Sequence, residues 1–108
     1  MQGYNASVFA YGATGAGKTY TMLGTEDNPG IMMNSIEELF WAIEVYSAER
    51  EYKLKLSYVE VYNEVIKDLL NDKNDQLELR EDAVKGVCVA GVMEIMTTNT
   101  DEIMKYML

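Results

Sequence analysis

Residues 12–19 read GATGAGKT, and no other stretch of the 108-residue chain restricts its fold so tightly. The pattern G-x-x-x-x-G-K-[ST] works only where a strand runs into it and a helix leaves it, because the loop's N–H groups and the helix N-terminus must converge on one concavity. Gly12, Gly15 and Gly17 stand where a Cβ would obstruct the turns. Ala13, Thr14 and Ala16, between them, add main-chain N–H groups to the same concavity. Lys18 has the reach for the β- and γ-phosphates of a nucleotide, and the Thr19 hydroxyl suits one coordination position of Mg2+. The flanks agree with this reading. Residues 6–11, ASVFAY, are a nearly continuous apolar run ending at Gly12, which suits a strand buried on both faces, and a brief helix is expected after Thr19. The plainer alternative, a glycine-rich turn with an exposed lysine, does not call for those flanks.

Downstream the chain alternates between helical and extended patterns, with no internal repeat, low-complexity tract or linker. Residues 24–30, GTEDNPG, collect turn formers and read as a surface loop. From Ile31, Met32, Ile36, Leu39, Phe40, Ile43 and Tyr46 recur at steps of three and four, predicting a helix that packs one face on a sheet. Residues 52–61 switch to a period of two, with Tyr52, Leu54, Leu56 and Tyr58 against Lys53, Lys55 and Ser57, so a strand with one wetter face is expected. Residues 63–75 fit either a helical turn or a short strand closing in a polar turn. Two further strands, 77–81 and 86–95, predict a hairpin across 82–86. Asn99 with Glu102 makes an N-cap and N3 pair for a helix starting at Thr100.

Composition sets limits on function. Eighteen acidic and nine basic side chains give a formal net charge of -9, which opposes non-specific attraction to nucleic acid or to anionic lipid. Cys88 is the one cysteine, so no internal disulfide forms, and it reads as a small buried hydrophobe. No run approaches the roughly 20 apolar residues of a membrane span. The residues near Met1 lack the basic and apolar regions of a signal peptide, so the expectation is an intracellular, soluble protein of at most one domain. The chain has no histidine, and its carboxylates are scattered over polar faces, so a separate metal or acid–base site has no support. Asp27 to Gly30 matches a D-x-x-G nucleotide switch only in letters, because no apolar strand leads into it. Asp72, Lys73, Asn74 and Asp75 faintly resemble a guanine-reading N-K-x-D, but a solvated loop is the better reading.

Three blocks together, residues 3–24 (GYNASVFAYGATGAGKTYTMLG), 57–70 (SYVEVYNEVIKDLL) and 79–82 (LRED), resemble the kinesin motor domain in order and spacing. The resemblance covers essentially residues 1–108 and is most similar to the kinesin-8 branch through AYGATGAGKTYTMLGT and ELREDAVKGVCVAGV. It implies an α/β fold of the P-loop NTPase class, a mixed central sheet flanked by helices, with ATP and Mg2+ at the P-loop and a microtubule-binding face. It places Tyr20 beside the adenine, where many kinesins carry histidine; first-turn packing is the other role open to that ring. It places residues 82–86 in the loop that touches tubulin, with Arg80 and Lys85 as the basic contacts. Glu78, Glu81 and Asp82 nearly neutralise that patch, so Arg80 and Lys85 as ordinary solvated charges stays open. Lys53 and Lys55 read as an exposed strand face, and Met32, Met104 and Met107 as core.

The resemblance is also partial. The family's R-x-R-P adenine-side motif, its N-x-x-S-S-R and D-L-A-G-S-E switches, its neck linker and its lysine-rich filament-binding stretch are not found in these residues. The expectation is a middle segment of a motor domain with no complete catalytic set. Its sheet would be interrupted, and the isolated chain would bind Mg-ATP feebly and turn none over. The expected partners are ATP and the microtubule, not nucleic acid or membrane, with dimerisation only through regions outside this chain. The implied location is the cytoplasm and microtubule cytoskeleton, a cilium included. Two alternatives remain beside the ATP-driven motor: a truncated, catalytically inactive interaction fragment, and part of another P-loop NTPase.

Overall fold

Helix α1 (Lys18–Met22) begins directly behind the glycine-rich loop, in a computed structural model that describes residues 2–71, 73, 76–97 and 99–107. Residues 24–30 then form the expected loop, closed by a bridge between Gly24 and Pro29 and a turn in which Thr25 N–H donates to Asn28 O at 2.9 Å. Helix α2 (Ile31–Tyr46) follows, then β1 (Lys55–Leu56), β2 (Val59–Tyr62), β3 (Val65–Asp68), β4 (Glu78–Asp82), β5 (Gly86–Ala90), β6 (Ile95–Met96) and α3 (Thr100–Met107).

All the ladders are antiparallel and two-stranded: β1 with β6, β2 with β3, β4 with β5. This is the interrupted sheet that the sequence leads one to expect. Residues 6–11 depart from their own expectation, forming no ladder among the described residues, with Val8, Phe9 and Tyr11 exposed. A strand buried on both faces needs neighbours on both edges, and none of the described residues pairs with this run. The strand expected at 52–61 divides into β1 and β2, because its two halves pair with different partners. Its period of two nonetheless survives in the burial, with Tyr52, Leu54, Leu56 and Tyr58 half-buried and the residues between them exposed.

Of the two readings for 63–75, the short strand holds, as β3. Asn63 and Glu64 both take left-handed backbone (φ 48° and 64°), the geometry of a tight type I′ hairpin turn between β2 and β3. Asp72, Asn74 and Asp75 lie outside the described residues, so the solvated loop expected there is not placed.

The core lies between the two longer helices. Met33 and Ile36 of α2 meet Ile103 and Met107 of α3, with Met32, Phe40, Leu56, Tyr58 and Met104 packed around them. Met107 is core, as expected, while Met32 and Met104 are only partly buried against it. The face of α2 differs from the sequence pattern: Met33 is buried, while Leu39 and Tyr46 are exposed. It packs on α3 and on the short α1 rather than on a broad sheet. Eight residues of α3 extend about 12 Å, half the roughly 24 Å of α2, so only part of the apolar stripe is covered. A smaller buried group, Ile66, Leu70 and Leu77, lies where β3 meets the start of β4.

The N-terminus of α3 is capped as predicted, with one change. Asn99 Oδ1 accepts the Asp101 N–H at 2.9 Å, whereas the Glu102 carboxylate accepts the Thr97 hydroxyl at 2.6 Å instead of reaching back to the Asn99 N–H. Thr97 Oγ1 itself takes that N–H at 3.0 Å, so the cap is completed through the threonine. Among the described residues no helix is long and apolar enough to cross a membrane.

Candidate nucleotide loop and filament-contact hairpin

The loop at 12–19 owes its shape to two glycines in different ways from the third. Gly15 and Gly17 adopt φ of 84° and 102°, and an added Cβ at either would meet nothing within 4 Å, so their requirement is torsional. Gly12 has ordinary backbone, but a Cβ there would sit 3.2 Å from the Ala16 Cβ, so its requirement is space. A turn between them is closed by Ala16 N–H donating to Ala13 O at 3.0 Å. Gly17 is the N-cap of α1, and no side chain caps the helix. The first-turn N–H groups of Lys18, Thr19 and Tyr20 therefore have no carbonyl one turn back inside the helix, and they are the donors this loop can offer an anion.

Thr14, Gly15, Gly17, Lys18 and Thr19 line a concavity of about 430 Å³ beside the loop. The Lys18 ammonium donates to the Gly12 carbonyl, which folds the side chain back along the loop. A single positive charge is thereby held at the concavity's edge. Thr19 is exposed, so its hydroxyl is free of core packing. Tyr20 is 61% exposed on α1. Among the described residues no group of three or more His, Cys, Asp or Glu could hold a metal, and the hard oxygen donor that the sequence pattern singles out at this loop is the Thr19 hydroxyl. A hydroxyl supplemented by phosphate oxygens and water fits the hard, octahedral preference of that ion.

Arg80 and Lys85 lie on one hairpin, away from the loop in sequence and in element. Arg80, on β4 opposite Cys88, donates from Nη2 to Glu78 Oε2 at 3.3 Å, both side chains well exposed. Lys85 is in the connecting turn and forms no ion pair among the described residues. The turn is held by Asp82, whose carboxylate accepts the N–H of Lys85 at 3.0 Å and of Val84 at 2.7 Å. Those two donors hold the Asp82 carboxyl below its ordinary value. Of the strand lysines, Lys53 is exposed and Lys55 is paired with Glu94 at 3.5 Å, as an exposed strand face implies. Cys88 is half-buried, less enclosed than expected, because among the described residues β5 has β4 on one edge and no strand on the other.

Sequence reading passed over Asp68. It is buried to 4% exposure at the end of β3, with Oδ1 accepting Leu70 N–H at 3.0 Å and Oδ2 accepting Met93 N–H at 2.7 Å. The local signal was an aspartate two residues before a free amide, the start of an Asx turn. The distant one, to Met93, had none.

The kinesin motor domain family model matches residues 1–108. The chain is 53% identical over 108 residues to the kinesin-like protein KIF19 of Homo sapiens and 48% identical over 105 residues to KIN-8B of Arabidopsis thaliana. It is 55% identical over 92 residues to KIF18B of Mus musculus, and these relatives support the likeness to the kinesin-8 branch. The alignments cover 100%, 97% and 85% of this chain, which spans only 11%, 13% and 11% of those relatives. Among solved structures, a fast kinesin superposes with a TM-score of 0.90 at 42% identity, over 96% of this chain and 30% of that one. A KIF14 dimer solved with AMP-PNP in complex with a microtubule gives 0.81 at 40% identity, over 92% of this chain and 29% of that one. With the family model matching residues 1–108 and relatives 48–55% identical over 85% or more of it, the chain belongs to the kinesin motor domain family.

Proposed function

We propose that residues 1–108 are one part of an ATP-dependent microtubule motor domain, with the P-loop binding Mg-ATP and the β4–β5 hairpin contributing to the filament contact. The observation that carries this reading is the loop's geometry: left-handed Gly15 and Gly17, an uncapped helix N-terminus, and the Lys18 ammonium held along the rim of the same concavity. Gly12, Ala13, Thr14, Gly15, Ala16 and Gly17 wrap the phosphates through main-chain N–H groups. Lys18 swings from the Gly12 carbonyl onto the β- and γ-phosphates, and Thr19 gives its hydroxyl to Mg2+. When bound, the ion neutralises charge on the phosphate oxygens. Tyr20, exposed one residue further on, lies beside the adenine. Arg80 and Lys85 face the acidic surface of tubulin, and the location that follows is the microtubule cytoskeleton of the cytoplasm, cilia included. The net charge of -9 argues against nucleic acid and anionic membrane as partners, and dimerisation belongs to regions outside these residues.

Lys18→Ala in a complete motor domain carrying this segment tests the reading. Removing a charge aimed at the transferring phosphoryl group lowers microtubule-stimulated ATP turnover by about two orders of magnitude or more. Turnover equal to the unsubstituted motor would refute the assignment.

A further inference from the structure

The β4–β5 hairpin pairs only with itself among the described residues, and every residue of β4 is exposed. Its direction relative to the rest of the chain is therefore set where it enters and leaves. It enters at Leu77, whose N–H donates to the Ile66 carbonyl at 2.8 Å, and Leu77 is buried beside Ile66 and Leu70. It leaves through Gly91 to Met93, whose N–H donates to Asp68 Oδ2 at 2.7 Å. Ile66 and Asp68 are both on β3, so a single strand holds both stems.

The second of these ties depends on a side chain, the first on backbone alone. A carboxylate buried to 4% exposure is costly unless both oxygens are engaged, and both are, one by Leu70 N–H and one by Met93 N–H. The Met93 bond spans 25 residues, across the whole hairpin, so it cannot be replaced by a local turn.

We infer that Asp68 is a positioning residue for the filament contact: it aims the hairpin that carries Arg80 and Lys85, and so sets microtubule affinity without touching the microtubule. The inference rests on the proposed role of that hairpin. Asp68→Asn keeps the shape but turns an amide toward one of the two N–H donors. Asp68→Ser offers a hydroxyl that serves Leu70 two residues on but is too short to reach Met93.

The test is a double-mutant cycle in the complete motor domain, reading the microtubule concentration at half-maximal ATPase, the ATPase at saturating microtubules, and the ATPase without microtubules. Asp68→Asn and Asp68→Ser each raise the half-maximal concentration about threefold to tenfold, equivalent to roughly 0.65 to 1.4 kcal/mol, and leave both ATPase rates unchanged. In an Arg80→Glu, Lys85→Glu background, which by itself weakens microtubule binding, the same Asp68 changes add less than about a further twofold. An effective charge reversal with inert Asp68 variants, or with Asp68 effects that multiply undiminished in the reversed background, overturns the inference alone. An inert charge reversal overturns the hairpin's role as well, and the inference with it.

Discussion

At the scale of single residues, the glycine-rich loop at 12–19 was legible because its demands are local. Gly15 and Gly17 are needed for backbone torsion and Gly12 for clearance from Ala16, and each requirement is met within a few residues of chain. Asp68 was not legible, since its partner at Met93 is set by how β5 leaves the hairpin rather than by any nearby pattern. Asp82 lies between these cases: an aspartate opening a turn is a recognisable signal, and the structure adds its two amide donors, Lys85 and Val84. Those donors favour the ionised form, so the folded value lies below the unfolded one. The turn's support is then complete above the ordinary aspartate range, and it declines as pH falls from that range through the lowered value. We expect the amides of Val84 and Lys85 to lose hydrogen-exchange protection over that acidic interval in the complete motor domain, and Asp82→Asn to remove the pH dependence at both. Protection that falls identically in the Asp82→Asn protein would assign the loss to another group.

At the scale of elements, the strands that form a hairpin within the sequence were the readable ones. β4 lies within a residue of the strand expected at 77–81 and α3 starts at the residue its cap predicts, whereas the strand expected at 86–95 stops as β5 at Ala90, before the left-handed Gly91 (φ 79°), and its last residue falls in β6. Residues 6–11 carry the composition of a buried strand but have no pairing partner among the described residues and are largely exposed, because composition says nothing of which neighbours are present to cover them. The β2–β3 hairpin was ambiguous for a different reason: its turn is Asn63–Glu64, without the glycine that marks a type I′ turn. Glutamate in the left-handed region costs roughly 1 to 2 kcal/mol, and glycine avoids most of it while giving back some chain entropy in the unfolded state. Glu64→Gly should therefore stabilise the complete motor domain by about 0.5 to 1 kcal/mol, measured as a raised midpoint in urea at unchanged slope. A lowered midpoint would mean that the Glu64 side chain contributes more in the complete domain than its backbone strain costs.

At the scale of the whole molecule, the chain is far more open than its mass requires. Its surface is 8936 Å², where a compact protein of 12.2 kDa exposes about 6,100 Å². The radius of gyration is 15.6 Å against an expected value of about 13 Å. Folding to this form buries only about half of the unfolded chain's surface, where a compact domain of this size buries roughly two thirds. Phe9, Tyr11, Trp41, Tyr62, Val84 and Val87 are all more than half exposed, distributed over the P-loop approach, α2 and two separate hairpins. The α2–α3 core and the small group at Ile66, Leu70 and Leu77 belong to different elements, and among the described residues the two-stranded sheets are joined by no ladder, only by the single bridge between Ile66 and Leu77. Cooperative unfolding requires that losing one cluster destabilise the next, and here the coupling between clusters is slight. The 108-residue chain by itself should thus unfold over a broad range, with a calorimetric enthalpy larger than the van't Hoff value, and should bind the dye ANS under native conditions. The same residues within a complete motor domain should do neither, because neighbouring strands and helices would cover the exposed apolar side chains and join the sheets. Scanning calorimetry with dye fluorescence on both proteins makes the comparison. A sharp transition with equal enthalpies and no dye binding for the short chain would mean that its clusters couple through contacts stronger than their geometry provides.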